Sequence, residues 1–290
     1  MVCFSASLAP AYPRALLLIH TLSPRLDPAV IGQGEPMNLE AFQINGKNAL
    51  VTGSHRGLGA AIAVALAEAG ANVGCHGRDP NPGAACDEIR AAGRKTFYFS
   101  ADLADSRLCS ALIEETISKF GSIDILVNNA GTIRRAPAAE YPAEFWNELI
   151  AVNLTAVFHL SQLAARHMLE RGRGGKVVNI ASLLSFQGGI LVPAYAAAKG
   201  GVAQLTKALA NEWAAKGINV NAIAPGYMVT DNTTALRSDP VRSRQILERI
   251  PAARWGEPGD IAGAAIFLCS PAIDYVHGHV LAVDGGWLAR

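Results

Sequence analysis

From residue 48 onward, short apolar or β-branched runs alternate with longer stretches of helical period: NALVTG, NVGCH, KTFYFSA, DILVNNA, KVVNIAS, INVNAIA and HVLAVDG. Seven strands with helices between them predict a seven-stranded parallel sheet covered by helices on both faces, a doubly wound α/β fold. The stretch after the first run carries Leu58, Ile62, Ala65, Leu66 and Ala69 on one stripe and stops at Gly70. Residues 142–171 hold one long helical pattern, and Val202, Leu205, Leu209 and Trp213 form the stripe of another that ends near Gly217. No repeat and no Pro/Gly/Ser-rich linker interrupts residues 48–290, so residues 37–290 read as one domain. An insertion at about 227–256 breaks the alternation before the last strand, a place where lids sit.

The first 36 residues differ in character. They hold five prolines, and their longest unbroken apolar run, ALLLI at 15–19, is short for a signal-peptide core and far short of a membrane span. They read as a loose extension ahead of Met37, either an upstream stretch foreign to the native protein or a targeting peptide. Hydrophobic content of 50% with 17% charged residues is the makeup of a buried core, and a formal charge of +1 without like-charge blocks points away from nucleic acid and membrane surfaces. A small-molecule partner is expected. Cys3, Cys75, Cys86, Cys109 and Cys269 are odd in number and form no C-x-x-C, which fits free thiols in a reducing compartment and a cytoplasmic location.

TGSHRGLG, residues 52–59, follows a strand and opens a helix. Gly53, Gly57 and Gly59 allow a tight turn and close approach to a pyrophosphate, which the helix N-terminus favours electrostatically; Ser54, Arg56 and Leu58 between them are counted as further cofactor contacts. The second strand ends in His76-Gly77-Arg78-Asp79. An acidic side chain at such a strand end binds the ribose hydroxyls of NAD, whereas a cation receives the extra phosphate of NADP. Arg78, helped by Arg56, therefore leans toward NADP, with NAD left open. Asp102 and the Leu103 backbone, after the third strand, are candidates for the adenine; Asp102 alternatively caps a helix.

With NNAG at 128–131, Asn153, Ser182, the Tyr195-x-x-x-Lys199 pair and Pro225-Gly226, the chain from residue 45 to its end resembles the classical short-chain dehydrogenases/reductases. The resemblance implies a single Rossmann-type domain and an NAD(P)-dependent oxidoreductase acting on CH–OH groups. It implies Tyr195 as acid/base, Lys199 and Ser182 as its support, and Asn153 as part of a water-mediated proton relay. Asn129, Ala130, Gly131, Pro225, Gly226, Met228 and Thr230 are then cofactor contacts, as are Tyr195 and Lys199. The chemistry explains the spacing. A carbinol gives up hydride only as its hydroxyl proton is taken, and a phenol with a pKa near 10 needs a nearby positive charge to take it. A lysine at i+4 shares the tyrosine's helix face. Ser182 can donate to the substrate oxygen.

A narrower resemblance, to members of this family that act on keto-deoxy sugar acids, rests on GTIRR, IASLLSFQGGI, NAIAPGYM, IPAARWG and AVDGGWLAR. It implies reversible hydride transfer at C5 of such an acid. The carboxylate calls for a cation: Arg134 and Arg135 are the candidates after NNAG, with Arg237 or Arg254 from the insertion, and Gln187 joins Ser182 and Tyr195 at the substrate. Reduction of a keto-gluconate or of a carrier-bound 3-oxoacyl chain are the enzymatic alternatives; a dinucleotide-binding sensor is the non-enzymatic one. His277 and His279 lack a neighbouring carboxylate or cysteine, so no metal is expected. Apolar residues on the two long helices, together with the resemblance, imply a homotetramer.

Overall fold

All seven apolar runs become strands. The structure, a computed structural model, describes residues 39–290, and the extension expected over residues 1–36 lies outside the described residues. In chain order the elements are β1 (Asn48–Val51), α1 (Gly57–Glu68), β2 (Asn72–Gly77), α2 (Ala85–Ala91), β3 (Thr96–Ser100), α3 (Ser106–Phe120) and β4 (Ile125–Asn128). There follow α4 (Ala143–Ile150), α5 (Ala156–Arg171), β5 (Gly175–Ile180), α6 (Pro193–Trp213), β6 (Ile218–Pro225), α7 (Thr234–Ser238), α8 (Pro240–Arg249), α9 (Pro258–Cys269) and β7 (Val280–Val283). The sheet order is β3-β2-β1-β4-β5-β6-β7, and every neighbouring pair is parallel.

Alternate residues of the same strand feed opposite layers, as the pleat requires. Ala49, Val51, Val73, Ile125, Val127 and Val178 pack under α1 and α9. Leu50, Leu126, Val177 and Val220 pack under α3, α5 and α6 with Leu112, Leu160, Met168 and Trp213. Both sheet faces are thus covered, which is why the strands read as unbroken apolar runs. The path Ala143–Arg171 has the length and apolarity of a membrane span, yet Val157, Leu160, Ala164 and Met168 on it are buried in these layers.

That path is not the single helix its periodicity predicts. Between α4 and α5, residues Ala151–Thr155 form a π turn, which adds one residue to the turn and brings Asn153 into the interior. The region 227–256 leaves the alternation as expected. Its ends are tied together, Val229 N–H donating to Gly256 O at 2.7 Å and Gly256 N–H to Tyr227 O at 2.9 Å. Within it α7 and α8 follow a short 3-10 turn, Asp231–Thr233.

Because β1 has β2 on one side and β4 on the other, the chain reverses its winding at β1, and a crevice opens beyond the carboxyl ends of β1 and β4. Polar side chains brace that edge. Thr52 Oγ1 accepts from the backbone N–H of Asn129 and of Ala130, both at 3.0 Å. Asn129 Nδ2 donates back to Thr52 O (2.9 Å) and Gly53 O (3.0 Å). A buried chain runs from Asn128 to Ser161 (3.0 Å) and Asn179 (2.9 Å), and from Asn179 to Thr206 (3.0 Å), tying β4 and β5 to α5 and α6.

His76, buried in β2, supports the loop from below. Its Nδ1 accepts from Gly53 N–H at 3.1 Å, so the ring proton sits on Nε2 and is donated to Ala101 O at 3.1 Å. Burial holds this imidazole down at about 4. The folded state therefore favours the neutral ring: its contribution is complete above the unfolded value near 6.5 and is lost as pH falls toward 4. On this basis the wild type should lose about 2 kcal/mol of stability between pH 8 and pH 5 that a His76→Gln variant keeps. Urea unfolding at the two pH values checks this; equal losses in both proteins would remove His76 from the account.

Candidate active site

The glycine loop needs its glycines for contact. Gly53 has φ +64°, and a Cβ there would stand 2.9 Å from Ala130 Cα; a Cβ on Gly59 would stand 2.2 Å from Gly53 O. No side chain could occupy either place without moving backbone. Arg56, at the N-cap of α1, makes no side-chain capping bond, and the first turn holds no acidic residue. The N–H groups and positive dipole end of α1 are therefore left for an anion from outside. These features fit a dinucleotide pyrophosphate.

Two clefts meet over this edge. The first, about 250 Å³, is lined by the loop from Gly53 to Gly59 except Ser54, by Asn129–Gly131, Ile180–Ser182, Tyr195 and Lys199, and by residues 225–226, 228 and 230–233. The second, about 410 Å³, lies between the turn after β5 and the insertion, with Gln187, Arg135, Arg242, Arg249 and Trp287 in its wall. Ser182, Tyr195, Pro225, Gly226, Asn232 and Thr233 belong to both. A long ligand in the first cleft and a small one in the second would meet at Ser182 and Tyr195.

Local geometry sets these groups in place. Ser182 is extended (φ −166°) at the start of a short 3-10 turn, and its oxygen accepts from Leu184 N–H at 3.1 Å. That bond uses a lone pair and leaves the hydroxyl proton free to donate. Ser185 Oγ donates to Lys199 O at 2.7 Å, tying this turn to α6. Pro193 opens α6, so Tyr195 and Lys199 fall one turn apart near its start.

Lys199 is 4% exposed, and its Nζ donates to Ile180 O at 2.6 Å. It lies 5.7 Å from the centre of the Tyr195 ring. Burial brings the ammonium down to about 8. Burial also holds the Tyr195 phenol above its ordinary value; the Ser182 hydroxyl, by hydrogen bonding, and the Arg135 charge pull it the other way. Ser182 and Arg135 thus oppose the rise, and Lys199 stands one turn away on the same helix, as the i+4 spacing implies.

Other expected site residues lie outside the lining of the first cleft. Ser54 is fully buried, its hydroxyl donating to Val51 O (2.8 Å) and accepting from His76 N–H (3.0 Å), so it braces the loop from behind. Leu103 is a core residue. Asp102 accepts from Ala104 N–H at 3.0 Å in an exposed turn, while the cap of α3 is Asp105. Arg78 is exposed at the end of β2, outside the lining of both clefts. Arg134 pairs through two bonds with Glu148 (3.1 and 3.0 Å) and lies over the Phe145 ring, while Arg135 faces the second cleft. Of the insertion's candidates, Arg254 pairs with Asp260 at 2.7 Å, and Arg237 lies against Thr230 O at 3.4 Å. The Asn153 amide is committed to Thr132, accepting from its N–H at 2.9 Å and donating to its carbonyl at 2.8 Å, so the side chain braces the turn after β4.

Some lining residues carry no motif. His55 and Asp231 contribute to the first cleft, Arg242 and Arg249 to the second. His76 did leave a signal, as an ionisable residue inside an otherwise apolar run.

Residues 53–288 match the family model described as enoyl-(acyl carrier protein) reductase. The 2-dehydro-3-deoxy-D-gluconate 5-dehydrogenase of Dickeya dadantii is 51% identical over 255 residues, which span 88% of this chain and 100% of that enzyme. A solved Agrobacterium tumefaciens structure, assigned as a 2-deoxy-D-gluconate 3-dehydrogenase with bound NADP, is 58% identical, with a TM-score of 0.81 over 86% of this chain and 99% of its own. The gluconate 5-dehydrogenase of Burkholderia cenocepacia, in complex with NADP and tartrate, is 42% identical, with a TM-score of 0.82 over 87% of this chain and 98% of its own. With a family model over residues 53–288 and relatives of this identity over nearly the whole of their own length, the chain belongs to the short-chain dehydrogenases/reductases.

Proposed function

We propose that the protein is an NADP-preferring oxidoreductase that interconverts a secondary alcohol and a ketone at C5 of 2-dehydro-3-deoxy-D-gluconate. The observation that carries the reading is the meeting of the two clefts at Ser182 and Tyr195. When bound in the first cleft, the nicotinamide supplies or accepts the hydride. The chain's own residues handle the proton. In reduction the Tyr195 hydroxyl, kept protonated by burial, gives its proton to the substrate oxygen as negative charge gathers there. The Ser182 hydroxyl, its oxygen held by Leu184 N–H, turns its proton to the same oxygen as a second donor. Lys199 keeps two of its three N–H bonds beyond the one to Ile180 O, available to the phenol oxygen and to the cofactor ribose.

Of the two arginines after NNAG, Arg135 is the one left for the substrate carboxylate, because Arg134 is occupied by Glu148. Gln187 shares that cleft. The exposed side chains of Trp146, Phe158 and Leu169 along α4 and α5 support the homotetramer.

The purified protein should raise absorbance at 340 nm with 2-dehydro-3-deoxy-D-gluconate and NADP, more efficiently than with gluconate or with a β-hydroxyacyl thioester. A better rate with either rival substrate would move the assignment to it, and no change with any pair would favour a sensor. Tyr195→Phe should still bind NADPH but lose about 10²–10⁴-fold in kcat, the range for removing a general acid/base; near-normal turnover would overturn the assigned chemistry.

A further inference from the structure

The strip Thr230–Thr233 lies across the wall that the two clefts share, and arginines hold it from two directions. Arg56, in the glycine loop, pairs with Asp231 at 3.0 Å. Arg135, from the loop after β4, donates to Asn232 O at 3.2 Å. Thr230 itself faces the loop, its Cγ2 standing 3.9 Å from where a Cβ on Gly57 would be. The Arg56–Asp231 pair therefore bridges the first cleft from the glycine loop to the strip.

The same pair sits beside the end of β2. His55, flanking Arg56, feels the charges of Arg56, Asp79 and Asp231. Its ring lies against Gly77, where an added Cβ would stand 2.8 Å from His55 Nδ1 and 2.3 Å from the Tyr98 hydroxyl. Gly77 is the strand-end position at which a carboxylate would serve the ribose hydroxyls, and these two side chains fill the space one would need. Discrimination between the two dinucleotides thus falls to the charges around this point. Arg56 and Arg78 favour a phosphate; Asp231 holds Arg56 in an ion pair.

We propose that Asp231 is a specificity-determining residue: it competes with the 2′-phosphate of NADP for the Arg56 guanidinium and so sets how strongly the enzyme prefers NADP over NAD. The inference rests on the proposed cofactor reading. Both side chains are well exposed, 68% and 70%, so the pair is weak and a phosphate dianion displaces the carboxylate readily. NADP binding accordingly releases the strip on its Arg56 side, whereas NAD, lacking the phosphate, leaves the bridge in place. The carboxylate lowers affinity for the phosphorylated cofactor alone.

Binding of NADPH and NADH, followed by nucleotide fluorescence, tests this without any sugar substrate. Asp231→Asn should tighten NADPH by about three- to five-fold, the strength of an exposed ion pair, and leave NADH unchanged. In an Arg56→Gln background the same substitution should change neither, because the competition acts through Arg56. Equal tightening of both nucleotides, no tightening of NADPH, or an undiminished effect in the Arg56→Gln background would each overturn the proposal. Failure of the wild type to bind either nucleotide would instead sink the cofactor reading on which it rests.

Discussion

The site depends on an ammonium buried with little company. Lys199 has Ile180 O as its one hydrogen-bond partner among the described residues, and burial has already drawn its pKa down to about 8. A charge kept so deep costs free energy unless further acceptors arrive. It remains a cation at neutral pH by a narrow margin, with two N–H bonds unspent. Such a group favours whatever places oxygen atoms beside it, a cofactor ribose or the oxygen of Tyr195. A buried cation and a half-buried phenol thus share this corner of α6, with the nitrogen 5.7 Å from the ring centre.

The fold makes that arrangement possible by holding everything around it still. The change of winding direction at β1 opens the crevice, and the clamp between Thr52 and Asn129 fixes the glycine loop against the end of β4. The chain of amides and hydroxyls from Asn128 through Asn179 to Thr206 holds α6 on the sheet below the site. These side chains bond to one another and to the backbone, so disturbing one leaves its partner unsatisfied, and the network resists drift. Ser182, by contrast, is tied down by one accepted bond and presents its proton to the cleft.

Much of this was legible in the sequence, for physical reasons. Strands covered on both faces need unbroken apolar runs, and all seven runs became strands. Gly53 and Gly59 stand where only backbone fits, so the loop could be read from composition and spacing. Other features depend on partners far away in the chain. Nothing in the run AVNLT says that the helix widens into a π turn there, or that the Asn153 amide on it takes up the backbone of Thr132. Arg134 and Arg135 are adjacent and alike; Glu148 on α4 takes one and leaves the other to the cleft. Ser54 looked like a loop contact, but His76 behind it claims its hydroxyl.

The proton-handling role proposed for Tyr195 is most directly tested by the pH dependence of kcat/KM measured in both directions. A phenol held up by burial is an acid ready for reduction and a base only once it ionises. The account predicts a reduction rate that stays level through neutral pH and falls in the alkaline range, as Lys199 near 8 and then Tyr195 lose their protons, with oxidation rising over that range. A reduction rate that instead declines between pH 5 and pH 7 would mean that a more acidic group gives the proton, and would contradict the account.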